Sequence, residues 1–151
     1  MELQIEWLLN PPVETRNNVV LNKPVTVSDF NAANQMGEMA VDGDRLYTHS
    51  RWATDDSHNA HWIEIDLQGS YTISAFGLFR DLSNLVQKMP KFSLQVWTGS
   101  AWVDVVTEEN NTTDFEYYKE FAPVTTDKVR WYVPAYTNNR VILLEIEVYE
   151  E

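Results

Sequence analysis

Asp42-Gly43-Asp44 sets two carboxylates around a glycine, and the hydroxyl residues Thr48 and Ser50 follow a few positions later. Glycine permits the sharp turn such a pair requires, and hard oxygen ligands at this spacing suit Ca²⁺. The ion takes about six to eight oxygens, so these side chains alone are too few. Main-chain carbonyls and a distant carboxylate would have to complete the shell. The segment is not an EF-hand, because the D-x-D-x-D-G order is missing. As a bare tripeptide, Asp-Gly-Asp is equally the chemistry of an ordinary turn. His58-x-x-His61 offers two imidazoles to zinc, with no third ligand evident beside them. Although the chain has 23 acidic residues, their spacing identifies no glycosidase pair. There is no nucleophile elbow, no Ser-His-Asp signature and, among five glycines, no phosphate-cradling loop. Catalysis is not expected.

The elements that must position these groups are bounded by composition. A chain of 151 residues and 17.6 kDa favours one domain with one hydrophobic core. Surface scaling gives about 7,900 Å² folded against roughly 25,500 Å² unfolded, so about two-thirds is buried without help from cross-links. Eleven Lys and Arg against 23 Asp and Glu leave a net charge of −12, which repels phosphate backbones and anionic lipid. Nucleic acid and acidic membranes are therefore not expected partners. The absence of cysteine removes Cys-ligated zinc, thiol catalysis and disulfides but leaves the compartment open. No apolar run reaches membrane-span length, and the N-terminus lacks a basic start followed by an apolar stretch. A secretion signal would lie outside this chain.

Period-two alternation marks the strands. In Trp62 to Leu67 the set Ile63, Ile65, Leu67 faces one way and Glu64, Asp66 the other. The same pattern recurs in Lys91 to Trp97, Lys128 to Val133 and Glu145 to Tyr149, where Ile146 and Val148 point inward. Pro24 to Ser28, Tyr71 to Arg80, Trp102 to Thr107 and Asp114 to Phe121 are further strands by their β-branched and aromatic content. Thr98-Gly99-Ser100-Ala101 predicts a tight hairpin. The expected fold class is all-β, a β-sandwich or jelly roll without an amphipathic helix. Residues 1–17, with Trp7, Leu8, Leu9, Pro11 and Pro12, form a linker or the remnant of a preceding module, and 18–151 the domain. Asn31 to His61 is too long for an idle connection, which makes it the first place to seek function.

Five segments in fixed order carry a resemblance: Asn18 to Ser28, Ala40-Val-Asp-Gly-Asp44, Ser50-Arg-Trp52, Trp62-Ile-Glu-Ile-Asp-Leu67 and Glu145-Ile-Glu-Val-Tyr149. Together they resemble the F5/8 type C, discoidin-like family, and most narrowly family 32 carbohydrate-binding modules, over about Asn18 to Glu150. The resemblance implies a galactose-binding-domain-like jelly roll with a structural Ca²⁺ and ligand loops at one rim. It implies Asp42, Asp44 and Glu145 as metal ligands, backbone carbonyls near Ala40, and a hydroxyl from Ser50, with Thr48 its rival. It also implies a sugar site. Arg80 and Asn84 match the Arg and Asn that read sugar hydroxyls in galactose-binding relatives, and their donors and acceptors suit a vicinal diol. Tyr136 lies on a loop that reaches the ligand rim in the family, where a ring can stack on a pyranose. Ala53 stands where galactose-binding relatives often carry His, so His58, His61 or Asn59 would have to substitute. The remaining tryptophans are expected in the core or on sheet surfaces, with Trp52 and Trp62 at buried family positions.

The expected function is thus a non-catalytic carbohydrate-binding module, secreted or at the cell surface, anchoring a covalently linked parent enzyme or surface protein to glycan. Two rivals are a discoidin-like module for a protein or membrane partner, using an apolar spike of Leu82, Leu85, Val86 and Met89, and a structural accessory domain. The sequons at Asn110 and Asn111 could accept glycans only in a suitable host.

Overall fold

The structure, a computed structural model, describes residues 16–46, 50–55, 59–80, 89–113, 115–136 and 139–151. The strands are β1 (Val25–Val27), β2 (Trp52–Ala53), β3 (His61–Arg80), β4 (Phe92–Trp97), β5 (Trp102–Glu108), β6 (Glu116–Val133) and β7 (Ile142–Glu150). One 3₁₀ turn, Gly37–Ala40, interrupts the long connection between β1 and β2. All pairings are antiparallel, in the order β2-β7-β3-β6-β4-β5, with β1 added to β3.

Two pairs of expected strands are each a single strand. Trp62–Leu67 and Tyr71–Arg80 run together as β3, and the segments around Asp114–Phe121 and Lys128–Val133 run together as β6. The reason is a corner rather than a turn: the β3–β6 register breaks between Asp66 and Tyr71, where Gln68 takes a positive φ of 59°. Before the break His61 faces Val133; after it Phe79 faces Glu116. The ribbon folds over on itself there and makes two layers. Phe92 shows the closure, since its ring lies 5.5 Å from Trp131 and 4.9 Å from Tyr117, residues on opposite halves of β6. Trp52 extends this aromatic chain edge-on to Trp131 at 6.4 Å, and Phe76 extends it from Tyr117 at 5.6 Å. Such contacts fill the space between the layers and bring both ends of the folded ribbon to one end of the sandwich.

Alternation holds in the first layer: Ile63, Ile65, Leu67, Leu94, Val96, Val129, Trp131 and Val133 are buried. Trp62, expected buried, is partly exposed, because Ile63 takes the inward position beside it. β7 departs from alternation altogether, with every residue from Val141 to Tyr149 buried. Its inner face packs Ile146 and Val148 into the core, and its outer face is covered by the loop that carries Asp42 to Arg45. The chain is fastened at its start to its end: Val19 donates to Val148 at 2.8 Å and Glu150 to the Asn17 carbonyl at 2.9 Å. Arg16 also donates through Nε to the Glu150 carbonyl. Arg16 and Asn17, read from sequence as part of the leading segment, are thus bonded to the domain, while residues 1–15 lie outside the described residues.

Candidate functional site

Gly43 has a φ of 87°, a left-handed conformation that favours glycine, so the tripeptide around it makes a tight bend. That bend turns the Gly43 N–H onto Glu145 Oε2 at 2.7 Å, 102 positions away in sequence. Glu145 is fully buried, and its other oxygen, Oε1, has no hydrogen-bond partner. Burial pushes its pKa up to about 9, the Gly43 N–H lowers it, and the neighbouring Asp42 raises it again. Asp42 accepts hydrogen bonds from Ser50 Oγ and, at 3.0 Å, from the Asp44 N–H. Asp44 in turn accepts from the Leu46 N–H at 3.1 Å. Ala40, the last residue of the 3₁₀ turn, is buried beneath this loop.

Two carboxylates in close electrostatic contact, one of them buried with a free oxygen, are costly unless protonated or met by a cation. The donor set Asp42, Ser50 and Glu145 therefore fits a hard divalent ion. Asp44 uses its carboxylate within its own turn, and Thr48 lies outside the described residues. Arg45 closes the outer side of the loop: Nη2 donates to Glu147 Oε1 at 2.7 Å, and the guanidinium lies 4.4 Å from the Phe79 ring centre.

The loops at the closed end of the ribbon form the rim. Asn139 Nδ2 donates to the carbonyls of Asn59, at 2.7 Å, and Pro134, and Arg140 Nε donates to the Thr54 carbonyl at 3.0 Å. Tyr136 is partly exposed and packs one edge on the core, with the Lys91 ammonium 5.8 Å from its ring centre; desolvation raises its pKa. Arg80 and His61, expected to offer hydrogen bonds to a ligand, are 2% and 0% exposed. Arg80 ends β3 and donates through Nη1 to the Thr113 carbonyl at 2.9 Å. His61 opens β3 on its inward face and shares a 2.7 Å hydrogen bond with Asp29. Asn84 and His58 lie outside the described residues, so the Arg80–Asn84 pair and the His58–His61 pair are not placed.

Sequence reasoning missed the hub of this rim. Asp29 binds His61 through Oδ1 and the Asp55 N–H through Oδ2, while its carbonyl accepts from Trp52 Nε1. Ligand atoms of Asp29, Asp55 and His61 lie within 4.8 Å of one another, a group that could hold a metal ion. Beside it Phe30 is 45% exposed. The available signal was the position of Ser28-Asp29-Phe30-Asn31 directly after a strand and at the mouth of the long loop.

The family model described as NedA-like, galactose-binding domain, of the F5/8 type C class, matches residues 39–131. Chitosan-binding module 1, derived from a chitosanase/glucanase of Paenibacillus sp. IK-5, is similar at 26% identity and a TM-score of 0.73, over 88% of this chain and 98% of that one. Chitosan-binding module 2 from the same source, solved with chitotriose, is similar at 28% identity and a TM-score of 0.71, over 87% and 99%. A fucose-binding module of Streptococcus pneumoniae shares the fold with a TM-score of 0.77 at 20% identity, over 90% and 96%. No curated protein matches the chain.

Proposed function

Since the chain belongs to the family of NedA-like, galactose-binding domains of the F5/8 type C class, we propose that it is a non-catalytic carbohydrate-binding module stabilised by Ca²⁺. The observation that carries this reading is the likeness, at 26% and 28% identity, to chitosan-binding modules matched over 98% and 99% of their own lengths. Those relatives bind sugar and derive from an enzyme, which supports a role in holding a linked parent protein at glycan outside the cell.

The sugar site is the rim. Tyr136 and Phe30 offer aromatic surface to the C–H patches of a pyranose, and Asn31 and Asp29 offer polar groups beside them. Arg80 and His61 act from within: Arg80 holds the Thr113 carbonyl and His61 holds Asp29, so both fix the loops that meet the ligand. Asn84 and His58 are assigned to the same rim from the family resemblance. A net charge of −12 favours neutral or cationic sugars over sulfated or uronic polymers. So small and shallow a contact binds in roughly the millimolar to micromolar range, and linkage to an enzyme or to further modules raises the effective concentration.

Ca²⁺ would be held by Asp42, Glu145, the hydroxyl of Ser50 or Thr48, Asp44 and main-chain oxygen near Ala40. Its chemistry there is neutralisation and cross-linking, with no reaction step. It ties the loop ahead of β2 to the buried face of β7, and through β2 it steadies the rim. A glycan array probed with the chain in Ca²⁺ and in EGTA tests the reading. Binding to defined glycans, weakened by Tyr136→Ala or Phe30→Ala, is expected; an array without signal in either buffer would falsify it.

A further inference from the structure

Three tryptophans, Trp62, Trp97 and Trp102, together with Tyr132, are partly exposed on the outward face of the layer formed by β1, β3, β6, β4 and β5. Outer sandwich faces are ordinarily polar, and the core needs none of these rings. Between them runs a polar row across four strands. Arg130 Nη1 lies 3.5 Å from Glu64 Oε1, Arg130 Nε donates to Gln95 Oε1 at 2.6 Å, and Gln95 Nε2 donates to Asp104 Oδ1 at 2.9 Å. Arg130 also lies 4.6 Å from the Trp102 ring centre and 5.5 Å from that of Tyr132, so the row fixes the rings that flank it. Trp97 and Trp102 stand side by side at 5.4 Å.

We propose that this face is a second carbohydrate-binding surface, which takes an extended, neutral β-1,4-linked glycan chain laid along the strands and over the polar row. It shares the ligand class of the rim reading but none of its residues. Tyr132 and Trp62 pair directly, and along β4 Trp97 stands four residues from Ser93, the partner of Tyr132. The two aromatic groups are therefore roughly 13 Å apart along the strands, a reach of several linked sugar rings. On one side of the polar row is a groove of about 250 Å³ bordered by Ser93, Gln95, Asp104 and Tyr132. On the other is one of about 550 Å³ bordered by Asp66, Trp97, Thr98 and Lys128. The face carries more acid than base, with Glu64, Asp66, Asp104, Glu108, Glu109 and Asp127 against Lys91, Lys128 and Arg130, which disfavours a sulfated or uronic chain. Planar guanidinium, amide and carboxylate groups between aromatic rings suit a sugar chain, whose uncharged hydroxyls they can hydrogen-bond while the rings take its C–H faces.

The test is an amide and indole NMR titration of the ¹⁵N-labelled chain with cellohexaose and with chitin hexasaccharide. Shifts of the Trp62, Trp97 and Trp102 indole signals are expected, with binding weakened about tenfold by Trp102→Ala. Gln95→Leu breaks the polar row without opening a core cavity and gives the same reading if Trp102→Ala does not fold. Tyr136→Ala separates the sites: face shifts that persist in it support the proposal. Shifts confined to the rim overturn the face proposal and leave the rim reading standing. Shifts confined to the face support the proposal and count against the rim. No shift at the three indoles with either sugar overturns it, as does a concentration-dependent dimer that buries these rings.

Discussion

Glu145 is held at the point where two preferences conflict. Burial favours the neutral acid, while a hard cation requires the carboxylate. With its folded pKa raised from 4.5 to about 9, the metal-free fold binds more protons than the unfolded chain throughout that interval. Its stability therefore falls as pH rises from the ordinary carboxylate range towards 9. We expect the melting temperature in EGTA to drop over this window, and the gain on adding Ca²⁺ to grow with pH; a flat profile in EGTA would contradict the assignment. Glu145→Gln should abolish the Ca²⁺-dependent rise in melting temperature and flatten the pH profile in EGTA. That Glu145 approaches the loop of Asp42 was implied by the family resemblance, since both residues stand in the segments that carry it, and the structure brings the Gly43 N–H onto Glu145. The burial of Arg80 was not legible in the sequence. A charged residue at the end of an alternating strand reads as solvated, and only the stacking of a second layer and the loop at Thr113 enclose it. Asp29 escaped for the opposite reason, since apart from the adjacent Ser28 its partners Trp52, Asp55 and His61 stand more than 20 positions away and no local spacing announces them.

The 3₁₀ turn before the Asp42–Arg45 loop rests against β1. A Cβ added to Gly37 would stand 2.5 Å from Val27 Cγ1 and 3.2 Å from Val25 Cγ2, closer than packed atoms allow. Gly37→Ala should therefore destabilise the domain by about 1–3 kcal/mol in urea unfolding, as overpacking does. An unchanged midpoint would mean that β1 shifts freely. Trp131 joins Trp52 to Phe92 across the layers, and Trp131→Ala should cost roughly 3–5 kcal/mol in the same measurement. Strands of the first layer could be read from alternation, as Phe92 to Trp97 shows. The merging of four expected strands into β3 and β6 could not, because Gln68-Gly69-Ser70 has the composition of a turn, yet the chain bends at Gln68 without reversing and goes on as one strand. Nor could the two-sided burial of β7, since Glu145 and Glu147 mimic a solvent face.

At the scale of the whole molecule, a net charge of −12 sets long-range behaviour. Self-repulsion should make the Ca²⁺-saturated domain melt higher in about 150 mM than in about 15 mM NaCl, as screening shortens the reach of each charge. A decrease would show that local ion pairs such as Arg45–Glu147 outweigh the global field. The fastening of Asn17 to Glu150 has a consequence of another kind. Glu151 donates to the Thr72 carbonyl near the corner of the folded ribbon, in the middle of β3, whereas Arg80 ends that strand roughly 25 Å further along and His61, at the rim, begins it. A cargo fused ahead of Arg16 or behind Glu151 would hang from the same pole, leaving the opposite pole to face outward like a grapnel on a single line.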